Sequence, residues 1–106
     1  MFEDELFEER VTETIQHHDP ATPLFMFWST HIVHGALMVP DDYLAKFSFI
    51  DDLDRKIYHS MVNWVDGAIG RVIDVVKAKE MYDDMLIVFS SDNGGPLGLG
   101  ANNYPM

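Results

Sequence analysis

Apolar positions fall into two unbroken blocks and two interrupted stretches, and the spacing inside each decides what it predicts. Leu24-Phe25-Met26-Phe27-Trp28-Ser29 and Met85-Leu86-Ile87-Val88-Phe89-Ser90 are blocks of strand length. A block apolar on both faces is the pattern of a strand buried in a parallel sheet. Residues 52–79 read differently. Ile57, Met61, Trp64, Val65, Ala68, Ile69, Val72 and Val76 recur at intervals of three and four, along one face of a long helix. Asp51 is placed to cap that helix, with Asp54 three residues on as a variant of the capping box. Lys77 and Lys79 stand where the helix dipole favours cations, and Asp66 and Asp74 fall off the apolar stripe toward solvent.

Residues 3–17 predict a second helix. Glu3, Asp4 and Glu5 suit its first turn, and Phe7, Val11, Thr14 and Ile15 form a moderately apolar face. His17 and His18 close it, but adjacent positions on a helix do not converge on one ion. Asp19-Pro20-Ala21-Thr22-Pro23 is a loop, since each proline disfavours helix at the residue before it. Residues 30–50 read mostly as a long loop, and loops of that length are commonly functional. The predicted order is helix, strand, loop, helix, strand. The fold class is α/β, with the last three elements forming a right-handed βαβ crossover.

Composition narrows the possible partners. The 106 residues allow one small domain, and 47% hydrophobic content excludes a disordered tail. With 18 acidic and 7 basic residues the formal net charge is -11, which argues against nucleic acid or an anionic membrane surface as partner. There is no cysteine, hence no disulfide and no thiolate metal site. No apolar run approaches the roughly 20 residues of a membrane span. The acidic start, Met1-Phe2-Glu3-Asp4-Glu5, does not read as an export signal.

The candidate chemistry lies just beyond the two apolar blocks. Ser91-Asp92-Asn93-Gly94-Gly95-Pro96 follows the second block. Side-chain oxygens of Asp92 and Asn93 suit a hard cation such as Ca2+ or Mg2+. Asp-Asn-Gly-Gly is also ordinary turn chemistry, with side chains that bond their own backbone, and by themselves these residues favour the turn. His34, followed by Gly35, lies beyond the first block. It is either a loop histidine bonded to a nearby carbonyl or a group in a shared pocket with Asp92 and Asn93. There is no P-loop and no dinucleotide fingerprint.

These stretches together resemble the sulfatase family, most closely its arylsulfatase B (N-acetylgalactosamine-4-sulfatase) group. The resemblance rests on Pro23 to Trp28, on Val33-His34-Gly35 with Leu37, Val39-Pro40 and Tyr43, on Met61-Val62 to Gly70, on Phe89-Ser90-Ser91-Asp92-Asn93-Gly94-Gly95, and on Gly100-Ala101-Asn102-Asn103-Tyr104-Pro105-Met106. It implies a mixed, helix-flanked sheet of the alkaline-phosphatase-like type and hydrolysis of sulfate esters, on a sulfated sugar or an aryl sulfate. It implies Asp92 and Asn93 as Ca2+ ligands, and His34 as the residue that contacts sulfate and protonates the leaving oxygen. Family members are usually lysosomal, secreted or periplasmic. They use a formylglycine made from a Cys/Ser-x-Pro/Ala-x-Arg motif, and no such motif occurs in these 106 residues. The family's paired aspartates of the first strand and its Lys-x-His segment are not identifiable either. Glu80 stands where the family commonly has a glycine after the helix, at a cost on the order of 1 kcal/mol if that position is left-handed. The expectation is therefore a partial sulfatase catalytic domain over residues 1–106, inactive alone. A related metal-dependent phosphodiesterase or phosphatase, and a non-catalytic binding module, are the alternatives.

Overall fold

The computed structural model describes residues 2–104. Among these residues three helices form: α1 Glu3–His17, α2 Asp41–Ala45 and α3 Leu53–Ala78, with short 3-10 turns at Tyr82–Asp84 and Leu97–Leu99. The chain divides into two compact units, one of residues 1–30 and 67–88, the other of residues 31–66 and 89–106. α3 runs through both.

In the first unit, α1 lies beside the second part of α3. Glu8 is buried on α1, and Arg71 reaches it with both arms of its guanidinium, Nε to Oε1 at 2.5 Å and Nη2 to Oε2 at 2.7 Å. Lys79 Nζ donates to the carbonyl of Gln16 at 3.1 Å. Both contacts join residues 63 apart, so the two helices run side by side in the same direction. This corrects the expected face of α1. Asp4, Glu8 and Ile15 are the buried positions, while Phe7 and Thr14 are exposed. A carboxylate can take an inward position once a two-point cation partner stands opposite, because that pairing offsets its desolvation.

The end of α3 satisfies its carbonyls through a left-handed cap. Glu80 has φ 57°, its N–H donates to Lys77 O at 2.9 Å, and the N–H of Met81 donates to Val76 O at 3.2 Å. That pair of bonds is the Schellman pattern, in which glycine is the usual left-handed residue. The expected cost at Glu80 is therefore present. His17 Nδ1 and His18 Nε2 each donate to a backbone carbonyl, of Glu13 and Thr22 respectively, both at 2.8 Å. The loop after them turns on Asp19, whose carboxylate accepts from Ala21 N–H at 3.0 Å.

The expected α/β sheet is absent. Among the described residues there is no strand, and the βαβ crossover expected from residues 24–29 and 85–90 does not form. Period-two patterning survives without pairing: half-buried Leu24, Met26 and Trp28 alternate with Phe25, 92% exposed, and Phe27, 83% exposed. An apolar block can set such alternation, but a strand exists only through ladder hydrogen bonds to a neighbour. Among the described residues neither segment finds that neighbour. The indole N–H of Trp28 is likewise buried with no hydrogen-bond partner among the described residues.

In the second unit, α3 buries Ser60, Met61 and Trp64, the last two as its apolar spacing predicts. Its start is capped by Asp52, whose Oδ1 accepts from Arg55 N–H at 2.8 Å. Asp52, rather than Asp51 with Asp54, is thus the capping residue, one position later than the sequence suggests. The stretch read as loop contains α2, entered from Pro40 with Asp41 and Asp42 in its first turn. Proline is favourable at a helix start, where its missing N–H costs nothing. Lys46 then lays its ammonium over the Tyr43 ring, 3.8 Å from the centroid.

Candidate functional site

All three residues singled out from the sequence lie in the second unit. Asp92 and Asn93 occupy one exposed loop after the second apolar block. Ser91 Oγ donates to Asn93 O at 2.6 Å, and Asn93 Nδ2 donates to Gly94 O at 2.8 Å. With its amide nitrogen engaged by a carbonyl, Asn93 leaves its Oδ1 as the side-chain acceptor. The Asp92 carboxylate makes no hydrogen bond within the described chain.

His34 lies on a separate exposed loop. Its Nδ1 stands 2.7 Å from the carbonyl of Gly35. A carbonyl can only accept, so Nδ1 carries the proton and donates. Nε2 is then the nitrogen left for chemistry. No hydrogen bond joins His34 to Asp92 or Asn93, so the structure assembles the two loops in one unit without linking these side chains. The His34 loop meets the segment after Asn93 at the turn Leu97–Leu99. Leu99 Cδ1 stands 3.4 Å from where a Cβ on Gly35 would lie.

The glycine-rich segment after Asn93 is seated tightly. A Cβ on Gly95 would come within 2.6 Å of both Ala101 Cβ and the Tyr58 hydroxyl. Gly100 has φ 84°, and a Cβ there would lie 2.6 Å from Arg55 Cα. Both positions therefore require glycine, the first for space and the second for space and conformation. Arg55 Nη1 reaches the Gly100 carbonyl at 3.4 Å, tying the segment to the start of α3. Arg55 and Tyr58 were not singled out from the sequence. They lie in α3 outside its apolar spacing, and Arg55 carries no local signal of a role in a loop 45 residues away.

Whether this loop fits a hard cation can be judged from its donors. A carboxylate and an amide oxygen at adjacent positions, both exposed and turned away from internal partners, are the right type for Ca2+. Ca2+ takes about six to eight oxygens, so two side chains are part of a site and not a cage. Consistently, no group of three His, Cys, Asp or Glu side chains able to hold a metal occurs among the described residues. A cavity of about 480 Å³ in the same unit is lined by Phe47, Arg55, Tyr58, His59 and Asn102 among others, and includes none of His34, Asp92 and Asn93. No helix of the described residues is long and apolar enough to cross a membrane.

Comparison with known proteins adds a family. The profile of the family described as Sulfatase matches residues 2–105. The chain is 31% identical over its whole length to arylsulfatase J of Mus musculus, of which it spans 18%. It is 27% identical over 82 residues, 77% of this chain, to N-acetylgalactosamine-6-sulfatase of Homo sapiens, covering 14% of that protein. Among solved structures, Ps i-CgsB in complex with k-i-k-neocarrahexaose superimposes with a TM-score of 0.89 at 33% identity, over 96% of this chain and 23% of the other.

Proposed function

The chain belongs to the sulfatase family, and from that premise we propose that it carries the cation-and-sulfate part of a sulfuric ester hydrolase site. The observation that supports this most is the Asp92-Asn93 loop. Two hard oxygen donors stand side by side just before a segment in which Gly95 and Gly100 are required by close packing. Asp92 and Asn93 are two of the Ca2+ ligands, and the remaining ligands come from outside these residues. A bound dication offsets negative charge growing on sulfate oxygens as the ester bond breaks.

His34 is the sulfate contact and the proton donor to the leaving oxygen. Its Nδ1–H is committed to the Gly35 carbonyl, so the transferred proton is the one on Nε2. The same bond fixes the ring's tautomer when it is neutral. Formylglycine is expected in the parent enzyme, and no residue of this chain fills that role. The substrate class is a sulfate ester of a sugar or an aryl group. A finer kinship to arylsulfatase B rests on the motif residues alone, while the relatives found include arylsulfatase J and N-acetylgalactosamine-6-sulfatase.

Hydrolysis of an aryl sulfate tests the reading. The 106-residue chain should give no multiple turnover, since it lacks the covalent nucleophile. In the parent enzyme, Asp92→Ala should lose bound calcium and activity together. Unchanged calcium stoichiometry with normal activity in that variant overturns the ligand assignment and leaves Asp92 as a turn residue.

A further inference from the structure

We propose that Asn103 is the positioning residue that sets the place of the Asp92-Asn93 oxygens. The proposal rests on the calcium reading above. Asn103 meets Gly95 with both ends of its carboxamide. Its Oδ1 accepts from Gly95 N–H at 2.9 Å, and its Nδ2 donates to Gly95 O at 2.8 Å. This closes a two-point clamp across eight residues. A carboxamide suits such a clamp because it offers a donor and an acceptor in one plane. A carboxylate would set a charged acceptor against the Gly95 carbonyl, and an aliphatic isostere would leave both backbone groups unpaired.

The clamp acts on the right atoms. Only Gly94 separates Asn93 from Gly95, so fixing Gly95 restricts where the two donor side chains can stand. The seat is close: a Cβ on Gly94 would lie 3.2 Å from Asn103 Oδ1. On the other side Gly95 rests against Ala101, which is buried. By contrast, the bonds from Ser91 to Asn93 O and from Asn93 to Gly94 O are internal to the loop. They shape it without holding it to the rest of the unit. The neighbouring Asn102 has a different task. Its Oδ1 accepts from Tyr104 N–H at 3.0 Å, a purely local turn. Two adjacent asparagines thus make one long-range contact and one short-range contact, and the difference can be tested.

The first measurement is hydrogen exchange at the Gly95 amide in the metal-stripped parent enzyme, with helix circular dichroism as the control for folding. Asn103→Leu should lower Gly95 protection roughly five- to tenfold, the worth of about one hydrogen bond. Asn103→Asp should lower it similarly. Asn103→Gln keeps both functions on a longer stem and should recover part of it, and Asn102→Ala should leave it unchanged. The second measurement is Ca2+ affinity of the metal-stripped parent enzyme by calorimetric titration. Asn103→Leu should weaken it by roughly tenfold or more, with Asn103→Gln intermediate and Asn102→Ala unaffected. Unchanged Gly95 exchange in Asn103→Leu with intact helices overturns the clamp. Lost protection with unchanged Ca2+ affinity overturns the positioning role and leaves Asn103 a structural tie. A wild-type parent that binds no Ca2+ overturns the calcium reading and the positioning role with it. That failure is told apart from failure of the clamp by the Gly95 exchange.

Discussion

Replacing Glu80 by glycine should stabilise this chain, and the structure allows the size to be worked out. Glu80 is the left-handed residue of the cap on α3, with φ 57°. A side chain in that conformation costs about 1–2 kcal/mol relative to glycine. Glycine in turn has more freedom to lose on folding, worth about 0.4–1 kcal/mol. The balance is a gain of about 0.5–1 kcal/mol. The two cap bonds, Glu80 N–H to Lys77 O and Met81 N–H to Val76 O, involve backbone only and should survive the change. A second effect must be separated from the first. Glu80 places a negative charge just past the C-terminus of α3, where the dipole disfavours it by a few tenths of a kcal/mol, less at high salt. Glu80→Ala removes the charge but keeps Cβ. Urea unfolding followed by helix circular dichroism, at low and high salt, distinguishes them. Glu80→Ala should gain little and lose that gain in salt, whereas Glu80→Gly should keep most of its gain. Equal midpoints for the two variants at high salt would refute the strain argument.

Three further outcomes follow from particular contacts. Arg71→Leu should cost about 1–2 kcal/mol by leaving the Glu8 carboxylate buried opposite an apolar side chain, a figure held low because the Arg71 side chain is 47% exposed. The double variant Glu8→Leu, Arg71→Leu should recover most of that in urea unfolding, and a double variant no better than the single one refutes the pairing account. His34→Ala in the parent enzyme should lower kcat about 10²–10⁴-fold with calcium still bound, and less for substrates with good leaving groups; equal losses for good and poor leaving groups remove the proton-donor role. The 106-residue chain should bind an apolar dye and unfold with weak cooperativity, because Phe25, Phe27, Leu86, Val88 and Phe89 are each at least 78% exposed; a sharp transition in a clean monomer without dye binding counts against this.

Much of the local structure was legible in the sequence because its causes are local. The three-four spacing from Ile57 to Val76 marked α3, and Met61, Trp64, Ala68 and Val76 on that spacing are buried, with Ser60 buried beside them. The unusual Glu80 after α3 is the left-handed residue expected there. The Asp-Asn-Gly-Gly pattern marked a loop with hard oxygen donors, and the structure leaves those oxygens exposed.

Everything that needed a partner from elsewhere in the chain was decided by tertiary structure. The buried face of α1 turned on Arg71, 63 residues from Glu8, which made an inward carboxylate acceptable. The loop's anchor turned on Asn103, which carries the same local signal as Asn102 and differs from it only in what lies within reach. The two apolar blocks make the same point in reverse. Their sequence can demand burial and can alternate its side chains, but it cannot provide the neighbouring backbone whose N–H and C=O groups make a strand. Residues 24–29 and 85–90 have the composition of strands and, among the described residues, no ladder, because hydrogen-bond pairing belongs to two segments and never to one.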